Sequence, residues 1–142
     1  MKESSLEFFS EDIDFDLSDP LTTKEWIQKS ILNEHLSPGD LNFIFCSDEY
    51  LLKINQDYLN HDYYTDIITF DYRDGNVISG DLFISIDRVR ENAKNSSLDF
   101  LSEIHRVIIH GVLHIMGYND KTPEEESIIR SKEDFYLSLR SI

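Results

Sequence analysis

At 142 residues, with 40% hydrophobic and 29% charged side chains, the chain is long enough to bury a core unaided and too apolar to be disordered. Thirteen basic against 28 acidic residues give a net charge of −15, which argues against broad, non-specific attraction to nucleic acid while leaving room for a local basic groove. No apolar run reaches membrane-spanning length and no apolar signal core follows Met1, so a soluble cytoplasmic protein is expected; the lone Cys46 fits a reducing compartment.

No repeat, low-complexity tract or linker divides the chain, so residues 1–142 are read as a single domain. Leu6 to Phe9 is expected as a short strand before an acidic loop. A helix is expected from Thr22, where Thr22 and Glu25 have the form of a capping box; Trp26, Ile27 and Ile31 give it an apolar side, and Pro38-Gly39 closes the segment. Asn42 to Cys46 has strand length and places Cys46 in the core. Ser47-Asp48 then caps a second helix with Leu51, Ile54 and Tyr58 at helical spacing. Asp66 to Tyr72 and Val77 to Ile86 read as strands joined around Asp74-Gly75, a hairpin signal.

A polar helix is expected over Asp87 to Asn95. The next segment, Leu98 to Met116, carries apolar residues around almost its whole circumference, the mark of a buried helix. Thr122 caps a last helix, with Pro123 at its first position and Glu124 and Glu125 in its first turn. The expected fold class is α+β: a small mixed β-sheet packed on several helices, with one buried central helix carrying the metal ligands.

Those ligands are His110, His114 and Asp120. Histidines four apart share a helix face, so two imidazoles can converge on one ion. Gly117 can end the helix in a left-handed conformation and turn the chain so that Asp120 approaches the pair. Two imidazoles and a carboxylate, with a position left for water, form a typical donor set for catalytic zinc. The competing reading is two buried histidines held by hydrogen bonds, with Gly117 as a plain helix stop. Against it stand the cost of two histidines on an apolar helix and the spacing of Gly117 and Asp120 behind them. The same spacing occurs in metzincin-type proteases, which place a glutamate general base after the first histidine. Here that residue is Gly111, so proteolysis is a minor alternative.

The segment HGVLHIMGYND at 110–120 is similar to the signature of the YbeY family, His-Gly-x-Leu-His-Leu-x-Gly-Tyr-Asp-His. INQDYLNHDYYTDIITF at 54–70 resembles that family's upstream block ending Thr-Asp-Val-Leu-Ser-Phe, and GDLFIS at 80–85 resembles its Gly-Asp-Ile strand. The resemblance implies a zinc-dependent, single-strand-specific endoribonuclease acting in ribosomal RNA processing and ribosome maturation, with one zinc ion per chain. Its expected partners are ribosomal RNA and the small ribosomal subunit or its assembly factors, with no DNA and no membrane. Two departures stand out. Asp120 replaces the signature's third histidine, giving a harder, more charged donor set. Leu59 follows Tyr58 where the family often has an arginine, which leaves the phosphate-gripping role unassigned.

The catalytic groups stay open, with Asp66 as a candidate carboxylate orienting a ligand histidine; an aspartate that merely starts a strand accounts for it as well. Candidate RNA contacts are Arg73 in the hairpin turn and Arg88, Arg90 and Lys94 on one short helix, with a solvated, acid-paired face as the alternative. Tyr63 and Tyr64 are candidates for stacking on unpaired bases or for packing inside. His35, His61 and His105 are read as surface or core residues. Two further functions compete with the nuclease: a non-catalytic ribosome-assembly factor with a structural metal, and a zinc hydrolase of other specificity, peptidases included.

Overall fold

Four strands form one mixed sheet in the order β1-β2-β4-β3 in the computed structural model, which describes residues 5–61 and 64–140. β1 (Leu6–Ser10), β2 (Ser37–Cys46) and β4 (Val77–Ser85) run parallel, and β3 (Ile67–Asp71) pairs antiparallel with β4 at the sheet edge. Side chains alternate across the pleat. Phe43, Phe45, Ile78, Leu82 and Ile84 enter the main core, whereas Cys46, Ile68 and Phe83 join a smaller cluster with Leu51 and Ile54 on the other face. Burial on both faces explains why β2 is almost continuously apolar from Phe43 to Cys46.

Among the described residues five helices surround the sheet: α1 (Pro20–Asn33), α2 (Asp48–Leu59), α3 (Ile86–Asn95), α4 (Phe100–Ile115) and α5 (Pro123–Ser138). α4 is the expected central helix. Ile104, Val107, Ile108, Ile109, Val112, Leu113 and Ile115 are buried, and Asp99 caps its start by accepting from the Ser102 N–H. Its first turn departs from the expectation of apolar burial all round, because Leu101 is 47% exposed. Ser47, Ser85 and Thr122 cap α2, α3 and α5, and Thr122 with Glu125 forms a complete capping box. No helix among the described residues is long and apolar enough to cross a membrane.

Two local expectations need correction. α1 starts at Pro20 rather than Thr22, so Thr22 and Glu25 lie inside its first turns; proline's fixed φ and missing donor suit the first helical position. Pro38 and Gly39 do not close the segment but lie within β2, which carries a register shift between Pro38 and Leu41. A Cβ on Gly39 would stand 2.9 Å from the Ile78 carbonyl oxygen, so this stretch needs glycine for close strand approach. α1 instead ends before a turn in which His35 has a φ of 62°.

Candidate metal centre

The last turns of α4 present His110 and His114 on one half-buried face, while Gly111 points into the sheet. A Cβ on Gly111 would lie 2.6 Å from both Ile67 Cδ1 and Leu82 Cδ2. A glutamate at this position has no room without repacking the sheet, which removes the general base of the peptidase arrangement. The helix then stops at Gly117, whose φ of 108° is costly for any residue with a Cβ. Its N–H donates to His114 O, that of Tyr118 donates to Leu113 O, and the reversed chain returns Asp120 to the histidines.

Nε2 of His114 lies 3.0 Å from Nε2 of His110 and 3.3 Å from Asp120 Oδ2, and the His110–Asp120 pair is 3.4 Å apart. Among the described residues these three form the group whose donor atoms all fall within 4.8 Å of one another. Donors at about 2.0–2.1 Å from a tetrahedral ion stand roughly 3.3 Å apart, so the set fits a metal without rearrangement. Three protein donors among the described residues would leave one position of a tetrahedral ion to water.

Behind the cluster lies a residue the sequence reading missed. Glu133 of α5 is 3% exposed; its Oε2 sits 2.6 Å from His110 Nδ1 and its Oε1 2.8 Å from Arg106. Arg106 also donates to Asp134 at 2.7 Å. Burial alone would raise the Glu133 carboxyl, but hydrogen bonds from His110 and Arg106 hold it below its ordinary value. His110 shows the converse: burial opposes its charge, yet Glu133, with Asp120 and Asp66, raises it overall. Glu133 lies 13 residues beyond Asp120 (133 − 120) in a helix of many glutamates, and only its burial singles it out. Asp66, the sequence-based candidate, borders the cluster instead, its carboxyl raised chiefly by burial.

The family model for endoribonuclease YbeY matches residues 9–140. The chain belongs to that family. It is 51% identical over 131 residues to endoribonuclease YbeY of Flavobacterium psychrophilum, covering 92% of this chain and 94% of that protein. The Cytophaga hutchinsonii endoribonuclease YbeY is 50% identical over 141 residues, with 99% of both chains covered. In fold, the chain is similar to the solution structure of TM1509 from Thermotoga maritima, with a TM-score of 0.67 at 23% identity, covering 94% of this chain and 87% of that one.

In this YbeY-family chain, two clefts flank the cluster. One, of about 570 Å³, lies between α4 and α5 and is lined by Arg106 and Arg130 together with Asp66, Glu103, Asp120, Glu126 and Glu133. The other, of about 430 Å³, follows the outer edge of β3 past Asn55, Leu59, His61 and Thr69 to His110 and His114. None of Arg73, Arg88, Arg90 and Lys94 lines either cleft. Arg73 donates to Gly75 O and Ile115 O, Arg88 pairs with Asp48 at 2.9 Å, and Arg90 lies over the Phe100 ring. Lys94 is exposed in the last turn of α3. Tyr64 is exposed, with its hydroxyl on Glu49 and Arg88 over its ring; Tyr63 lies outside the described residues. Cys46 is buried, its thiol pushed up to about 12 by burial, as a core residue should be.

Proposed function

We propose that this chain cleaves single-stranded RNA during ribosomal RNA maturation, in the cytoplasm and on the small ribosomal subunit, with one zinc ion held by His110, His114 and Asp120. RNA cleavage is the activity named for the family and for its close relatives. The observation that carries the metal is the convergence of three donor atoms at 3.0–3.4 Å among the described residues. Structural zinc sites normally have four protein donors and catalytic ones three with a water, so a three-donor set among the described residues supports a catalytic ion over a purely structural one. Bound there, zinc would supply Lewis acidity toward a phosphoryl oxygen and make water a stronger acid near neutral pH.

The protein's own groups have separate tasks in this reading. Arg130, its side chain 64% exposed at the cleft wall, meets a phosphate in place of the arginine missing after Tyr58. Asp66 is the carboxyl nearest in role to a proton acceptor, since burial keeps its basicity up. Unpaired bases stack on exposed tyrosines at the two ends of β3, Tyr64 before it and Tyr72 after it, and on Tyr58, which meets Phe70 of that strand.

Cleavage assays on a single-stranded RNA and its duplex, with zinc supplied, test the proposal directly. Wild type should cut the single strand, and His114→Ala should fall by at least about 100-fold while retaining its fold. Equal cleavage by His114→Ala would remove the metal from the reaction, and preference for the duplex would remove the stacking role of the tyrosines.

A further inference from the structure

We infer that Glu133, charge-balanced by Arg106, is the positioning residue that holds His110 in the tautomer able to bind the metal. The inference rests on the zinc site proposed above and extends it to a carboxylate on a different helix.

A carboxylate as deeply buried as Glu133 is costly unless its charge and lone pairs are satisfied. Its two oxygens divide the work. Arg106 and His110 are four residues apart on α4, so they share a face, and one carboxylate from α5 reaches both. A carboxylate at this site only accepts, which puts the imidazole hydrogen on Nδ1 of His110. In the neutral ring Nε2 then keeps its lone pair, and Nε2 is the atom that faces His114 and Asp120. The anionic partner also makes that nitrogen a stronger donor to a metal.

Arg106 fixes the carboxylate in place. Its Nη1 pairs with the buried Glu133 and its Nη2 with the exposed Asp134, so the bond to Glu133 does not depend on Asp134. Fastening α5 to α4 would need only the Arg106 pairs with Glu133 and Asp134. The 2.6 Å contact falls instead on the ring nitrogen opposite the cluster, where it governs tautomer and ring angle. Glutamine has nearly the same shape, but its NH2 group faces a donor if turned toward Arg106, and if turned toward His110 it donates to Nδ1 and moves the ring hydrogen to Nε2.

The test uses the full chain as wild type, Glu133→Gln and Asp134→Asn. Imidazole 15N shifts of the metal-free protein, at a pH where the ring is neutral, report the His110 tautomer. Competition with a chromophoric chelator reports zinc affinity, and a thermal melt reports the fold. Wild type should show His110 with hydrogen on Nδ1. Glu133→Gln should melt cooperatively, lose that tautomer preference and bind zinc about 10–100-fold more weakly. Asp134→Asn, which touches Arg106 but not His110, should match wild type in both site readouts. Hydrogen on Nε2 in wild type overturns the inference even if Glu133→Gln fails to fold. Unchanged zinc affinity in a folded Glu133→Gln overturns it too, with the zinc site itself left standing. Wild type that binds no zinc brings down the site and this inference together.

Discussion

Three histidines share α4, and what packs against each decides its chemistry. His110 has an acid behind it and His114 has Asp120 beside it, but His105 lies edge-on to the Trp26 ring with Nε2 buried and unbonded among the described residues. Burial, helped by the nearby Arg140 charge, lowers His105 from 6.5 to about 4. The unfolded chain therefore takes up this proton near pH 6.5 and the folded chain only near pH 4. Stability is lost as the pH falls through that window, by at most about 3 kcal/mol. His110 acts oppositely in the metal-free protein: raised by Glu133, it adds stability below pH 6.5 that fades as the pH rises through its folded value. The lowered carboxyls of Glu34 and Glu133 hold their share until the pH drops below about 4.5. Urea titrations of His105→Leu between pH 6.5 and 4.5 should give a flatter stability profile than wild type. An identical slope would place the acid sensitivity elsewhere.

Among the elements, β3 does most to set the shape of the site, because it is the sheet edge that lines the second cleft. Gly80 of β4 keeps it in place. A Cβ there would stand 2.5 Å from the Phe70 carbonyl oxygen and 2.8 Å from Ile115 Cδ1, so β3 and the end of α4 both press on this glycine. Gly80→Ala should cost about 1–3 kcal/mol in chemical denaturation, since a backbone carbonyl cannot swing aside as a side chain can. It should also weaken zinc binding, because Ile115 directly follows His114. A variant as stable as wild type would mean that the strands slide apart cheaply.

The capping boxes teach a related lesson. Thr22 with Glu25 and Thr122 with Glu125 share one sequence pattern, yet only the second forms. In the first, Pro20 starts the helix two residues early and leaves the threonine without a cap to make. Helix content, strand order along the chain and the hairpin at Asp74-Gly75 were legible because each is written in local periodicity and turn chemistry.

For the whole molecule, the acid surplus and the His110, His114 and Asp120 cluster belong to one picture. Among the described residues five carboxylates and two arginines line the larger cleft, so a divalent cation should stabilise the folded chain. At free zinc 100-fold above its dissociation constant, linkage gives about 2.7 kcal/mol, which for a chain of this size is roughly 10 °C in Tm. Wild type should show that rise on adding zinc and lose it to a chelator, and His114→Ala should show neither. Comparable shifts in both proteins would assign the effect to scattered surface acids. A second tie spans the fold: Glu34 at the end of α1 accepts from Tyr118 at 2.5 Å, from Lys132 at 3.1 Å and from Tyr136, fastening the turn after His114 to α1 and α5.

The sequence alone determined the α+β class, the buried helix and the grouping of His110, His114 and Asp120, since the helix and the grouping depend on spacing along one helix and the glycine that ends it. Tertiary structure decided the rest. It brought Glu133 against His110 from another helix, set Arg106 and Arg130 beside the cluster, and turned Arg88 and Arg90 toward Asp48 and Phe100. The physical reason is range: periodicity and caps act within a few residues, whereas a buried charge finds its partner only when helices distant in sequence pack together.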